Sequence, residues 1–126
     1  GSVIQKHPRN PIASTYELLW KDLFRPDCSS LTAQNISRRI IETFAKFIGK
    51  FEADDIIQKM ESPSREIARS WLAWANAGSH DPFDDETFMN SQATTEIQKD
   101  TLRKVFKAAG YEDHYNRMVK LCASIQ

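Results

Sequence analysis

Residues 31–48 read LTAQNISRRIIETFAKFI. Within this stretch Ile36, Ile40, Ile41, Phe44, Phe47 and Ile48 follow the 3.6-residue period of an α-helix, and Gly49 stands where a helix ends in a left-handed residue. At about 100° per residue, Asn35, Arg38, Arg39, Glu42 and Lys46 fall on the opposite face. An apolar stripe backed by a charged face describes a helix lying on a core, and the spacing predicts one helix over about 31–48.

The flanking sequence repeats that pattern. Residues 1–13 contain Pro8 and Pro11 without periodicity and read as an extended lead-in, Gly1 and Ser2 resembling a scar of tag removal. Ser14 and Glu17 form a capping box for a helix over about 14–24 carrying Tyr16, Leu18, Leu19, Leu23 and Phe24. A short helix is expected over about 54–60. Ser62 and Pro63 then open a helix with Ile67, Trp71, Leu72, Trp74 and Ala75 that stops at Gly78. Residues 79–92 are a polar interlude containing Asp81, Asp84, Asp85 and Glu86. A further helix starts near Thr94 or Thr95 and reaches Gly110, and a last one covers about 111–124.

The fold expected is all-α, a compact bundle of about five or six short helices forming one domain over 14–126. Ile40, Ile41, Phe44, Phe47, Trp71 and Leu72 are expected to meet in its core. A chain of 126 residues suffices for one such core. Four Gly, five Pro and no period-two alternation of Val, Ile and Thr argue against a sheet.

Charge and composition exclude several function classes. Lys plus Arg and Asp plus Glu each number 17, so no bulk field points to a nucleic acid or a membrane. No apolar stretch approaches the roughly 18–20 residues of a bilayer span, and the first residues show no basic segment followed by an apolar one, so an unexported chain is expected. Cys28 and Cys122 lack metal-ligand spacing and read as free thiols in a cytoplasmic protein. No metal site is expected, because the acidic interlude lacks the spacing and glycine of a calcium loop. The sequence has no G-x-x-x-x-G-K-[ST], hence no phosphate-cradling loop.

Arg38 and Glu42 stand four residues apart and can touch. Alone they describe a solvated ion pair; with His80, in the loop after Gly78, they describe the membership of a metal-independent ribonuclease site. Cleavage by the neighbouring 2′-hydroxyl needs one group to take that proton and another to protonate the leaving 5′-oxygen. A cation must also stabilise the phosphorane, and Arg meets phosphate with a planar fork. Lys99, Arg103, Lys104 and Lys107 form a basic stripe at helical spacing, readable as an RNA track or as a solvated face; Arg39 and Lys46 are further RNA-binding candidates. Trp71 and Trp74 are read as core rather than as base-stacking platforms.

The stretch Asn35-Ile36-Ser37-Arg38-Arg39-Ile40-Ile41-Glu42-Thr43-Phe44, with Trp74-Ala75-Asn76-Ala77-Gly78-Ser79-His80, resembles the C-terminal region of the P-loop ATPases related to the anticodon nucleases PrrC and RloC. Asn10-Pro11-Ile12 with Tyr16-Glu17-Leu18-Leu19-Trp20 is similar to the segment that follows the ATPase part in those proteins. The resemblance implies a helical, HEPN-like domain in which Arg38, Glu42 and His80 are the nuclease triad. It further implies cleavage of RNA, above all tRNA, in phage defence. An upstream ATPase domain of the same chain would be its partner and would hold ATP or GTP with Mg²⁺, and a homodimer is the assembly expected. The alternative is a non-catalytic helical appendage that packs on the ATPase or mediates dimerisation.

Overall fold

A computed structural model describes residues 11–77 and 94–125. Among the described residues there are six α-helices and no strand: α1 (Pro11–Leu23), α2 (Ser30–Thr43), α3 (Ala53–Ile57), α4 (Ser64–Ala77), α5 (Thr95–Ala108) and α6 (Glu112–Ile125). The all-α expectation therefore holds. The polar interlude and His80 lie outside the described residues, as does the Trp74 side chain. No helix among the described residues is long and apolar enough to cross a membrane.

Two helices form the middle of the bundle. α2 packs against α1, α4 and α5, while α5 also touches α3, α4 and α6, and α6 closes back on α1. Ser29 caps α2, its Oγ accepting from Thr32 N–H at 3.1 Å, and Thr94 caps α5 by accepting from Ile97 N–H at 3.1 Å. α1 starts three residues earlier than expected. The lead-in was expected to reach residue 13, but Pro11 occupies the first helical position, where its missing N–H has no intrahelical partner to lose.

The core is a stack of rings. Trp20, Trp71, Phe44 and Phe106 are fully buried, each worth about 1.5–3 kcal/mol of apolar transfer. Phe44 lies 4.8 Å from Phe106 and 5.0 Å from Tyr111, both edge-on, the geometry favoured by aromatic quadrupoles. Trp20 meets Tyr115 edge-on at 5.4 Å. Ile40, Ile41, Phe44 and Trp71 share this core as expected, with Leu72 packed against it half-buried.

Phe47 does not join them. It is 46% exposed and Ile48 is 48% exposed, contrary to the helical period. The cause is a π-helical turn over Phe44–Ile48, in which Gly49 N–H bonds to the Phe44 carbonyl at 2.8 Å. One extra residue in the turn rotates the downstream residues back by roughly 100°, so Phe47 leaves the apolar stripe. Its ring instead lies under Lys46 Nζ at 5.4 Å.

Gly49 also differs from expectation. It is right-handed (φ −82°), and Lys50 takes the left-handed conformation with φ 56°. What requires glycine at 49 is space: a Cβ there would come within 2.6 Å of Phe51 and 2.9 Å of Phe44. At Gly110 the reason is conformational, since φ is 87° and nothing lies near.

Candidate functional site

Asn35, Arg38 and Glu42 stand at i, i+3 and i+7 along α2, so one stripe of the helix brings them into line. Arg38 Nη1 donates to Glu42 Oε1 at 2.9 Å and Nη2 donates to Asn35 Oδ1 at 2.8 Å. Both ends of the guanidinium fork are held, and its plane is thereby fixed. The helical wheel places Arg38 on the solvated face, yet its side chain is only 20% exposed, against 43% for Glu42. Arg38 and Trp71, which comes from α4, line the same cavity. Arg38 Nε is buried without a partner.

That cavity has a volume of about 300 Å³ and is lined by Leu31, Thr32, Gln34, Asn35, Arg38 and Trp71. Its wall is tied down by a polar chain through three elements. Trp71 Nε1 donates to Gln98 Oε1 at 3.1 Å, and Gln98 Nε2 donates to the Ser30 carbonyl at 2.7 Å. Thr95 Oγ1 adds a bond to the Cys28 carbonyl at 3.0 Å, so the first turn of α5 is fastened to the entry of α2. On the other side of Glu42 runs an open groove of about 680 Å³, with Lys46, Lys50, Glu52 and Phe51 along it. Arg38 lines a mainly apolar, half-open cavity, and its partner Glu42 lines a more open, charged groove.

The basic stripe is largely neutralised. Lys99 Nζ lies 3.3 Å from Glu96 and 4.5 Å above the Phe24 ring. Arg103 bonds Asp100 at 2.9 Å and Glu112 at 3.0 Å, and Lys104 reaches Asp100 at 3.2 Å. Arg103, then Lys104, hold the Asp100 carboxyl below its usual range. Lys107 and Arg39 are exposed and have no ion-pair partner among the described residues, and Lys46 lies on the groove.

Other reactive groups are placed away from this stripe of α2. Burial pushes the Cys28 and Cys122 thiols up, the opposite of an activated nucleophile. No group of three or more His, Cys, Asp or Glu side chains among the described residues is arranged to hold a metal. The sequence reading missed Gln34 and Gln98. Their spacing was the available signal: Gln34 stands seven residues before Ile41 and Gln98 seven before Val105, which puts both on buried flanks.

A family model described as an AAA domain matches residues 1–107. The chain belongs to this AAA domain family. Every residue of the Asn35–Arg38–Glu42 stripe, the cavity and the groove falls within the matched part, and α6 lies beyond it. No curated protein and no solved structure matches the chain. The residues of this AAA family member do not fit a P-loop nucleotide site. The Gly-rich phosphate loop is absent from the sequence, and no strand precedes a helix among the described residues to position one.

Proposed function

We propose that this AAA family chain is a helical, HEPN-like endoribonuclease domain that cleaves RNA, most simply tRNA, without a metal, under the control of a P-loop ATPase domain in the same protein. The observation that supports it is the Arg38 fork fixed between Asn35 and Glu42, Arg38 lining the cavity and Glu42 the groove. In this reading Arg38 meets the scissile phosphate. The Glu42 carboxylate takes the 2′-hydroxyl proton, the 2′-oxygen attacks phosphorus, and the P–O5′ bond breaks as His80, outside the described residues, protonates the leaving oxygen. The products are a 2′,3′-cyclic phosphate and a 5′-hydroxyl. Lys46 and Lys50 carry the phosphates on the groove side; Arg39, Lys99, Arg103, Lys104 and Lys107 add a weaker field, because three of them are already paired. ATP or GTP with Mg²⁺ belongs to the ATPase domain, and phage defence is the role that a nuclease held latent by nucleotide state would serve.

The test is RNA cleavage in EDTA by the protein together with its ATPase domain, with the termini analysed chemically. Arg38→Ala, Glu42→Gln and His80→Ala should each slow cutting by about 100-fold or more with unchanged helicity. Metal-dependent cutting, or full activity in Glu42→Gln, rejects the mechanism.

The exposed Phe47 and Ile48 favour a second reading, in which the domain is a packing or dimerisation surface of the AAA protein. Under that reading Phe47→Glu weakens association while no variant of Arg38 or Glu42 alters any cleavage.

A further inference from the structure

Phe47 is the one exposed phenylalanine among the described residues. A regular helix would have kept it in the apolar stripe, and the π-turn over Phe44–Ile48 is what turns it out. Such single π-turns are rare and concentrate at functional sites. The charge beside the ring is distinctive as well. Lys99, Arg103 and Lys104 on α5 are paired with acids, whereas Arg39, Lys46 and Lys50 have no acidic partner among the described residues. Lys46 continues the stripe of α2, four residues after Glu42 as Glu42 stands four after Arg38. Its Nζ is 5.4 Å from the centre of the Phe47 ring, and with Lys50 and Glu42 it lines the groove. Of the groove's two carboxylates Glu42 is neutralised by Arg38, which leaves Glu52 against the two lysines.

An exposed aromatic ring flanked by unpaired cations suits a single nucleic-acid strand, whose bases stack on the ring while its phosphates meet the charges. A protein partner fits the same surface less well, because lysine is depleted at the cores of protein interfaces. We infer that Phe47 is a stacking platform for an unpaired base of the RNA, with Lys46 and Lys50 on the phosphates of the same stretch of strand. This rests on the reading of Arg38 and Glu42 as an RNA site. An exposed cation–π contact is weak, so Lys46 exchanges the ring for a phosphate oxygen and the base takes its place. Every base has a face to stack, so Phe47 fixes where the strand lies beyond Glu42 and leaves the choice of base open.

Uncleavable 2′-O-methyl oligoribonucleotides, bound by the protein together with its ATPase domain, separate binding from cleavage. Phe47→Leu keeps an apolar side chain and removes the π face; fluorescence anisotropy should show it binding a single strand about 10-fold more weakly than the wild type. Phe47→Tyr should bind as the wild type does. Lys46→Gln should weaken binding of all sequences alike and flatten its salt dependence. No RNA binding by the wild type, full binding by Phe47→Leu, or equal losses in Phe47→Leu and Phe47→Tyr overturns the platform. A loss in Phe47→Leu that tracks the dissociation of an oligomer, read by analytical ultracentrifugation, also overturns it by making the face a protein contact. Binding that needs the ring, without cleavage of natural RNA, sinks the nuclease reading and leaves the platform standing; cleavage with equal binding by all the Phe47 variants does the reverse.

Discussion

His114 carries the sharpest pH prediction. It projects from α6 into the ring stack, 4.6 Å from Phe44 and 5.4 Å from Phe106, with Nε2 2.7 Å from Tyr16 Oη. Burial, reinforced by the Arg117 charge, pulls its pKa down from 6.5 to about 4. The folded chain therefore takes up this proton less readily than the unfolded one. Above about pH 6.5 both states hold a neutral ring and stability is complete. As pH falls from there towards 4 the unfolded state protonates first, and stability is lost until the folded ring also titrates. Converted in full, the displacement is about 3 kcal/mol. The ring is only half-buried, so solvent screening reduces the expected loss to about 1–2 kcal/mol.

Carboxylates such as Asp100, held low by Arg103, also lose stability in acid, so the wild type alone cannot assign the effect. His114→Gln keeps a polar partner for Tyr16 and removes the titration. Urea unfolding at pH 7 and pH 4 should show the wild type losing about 1–2 kcal/mol more than the variant over that interval. Equal losses in the two proteins, or a larger loss in the variant, would refute the reasoning.

Phe44→Ala should cost about 3–5 kcal/mol and Phe47→Ala less than about 1 kcal/mol, measured by urea denaturation; equal costs would mean that the π-turn does not rotate Phe47 out of the core. Gly49→Ala should cost about 1–3 kcal/mol, because its Cβ meets the Phe51 and Phe44 rings, and thermal melts should show the loss relieved by Phe51→Leu. Gly110→Ala should cost about 1 kcal/mol from backbone strain alone, with Gly110→Asn milder.

The bundle was legible because its signals are local. Capping residues such as Thr94 and the apolar stripes of α2, α4 and α5 are set by neighbours within a turn or two. The features that the sequence concealed depend on energies between elements. The π-turn begins at Phe44, whose ring meets rings from α5 and α6, and no period within residues 31–48 encodes those contacts. Gly49 looked like a conformational glycine because position predicts φ, whereas the close approach of Phe51 needs the fold. At the site, the Arg38–Glu42 contact follows from spacing alone. The cavity that Arg38 lines with Trp71 requires knowing how α2 and α4 pack. His80 was named from its position in the loop after Gly78 and again from the resemblance, and spacing within α2 carries no information about it.

The same helix therefore carries both the core and the candidate chemistry, and this arrangement has a mechanical consequence. Ala33, Ile36, Ile40 and Ile41 are buried along the turns that present Asn35, Arg38 and Glu42. A side chain on a helix pinned at every turn has little freedom beyond its own rotamers, and Arg38 has two acceptors restricting those as well. The two contacts, Nη1 to Glu42 and Nη2 to Asn35, hold both ends of a mostly covered guanidinium and fix its plane. Fixing the fork makes sense if its orientation matters to something that approaches from the cavity or the groove. The core supplies the rigidity and Asn35 and Glu42 supply the aim, so a change at either acceptor should redirect Arg38 without loosening α2.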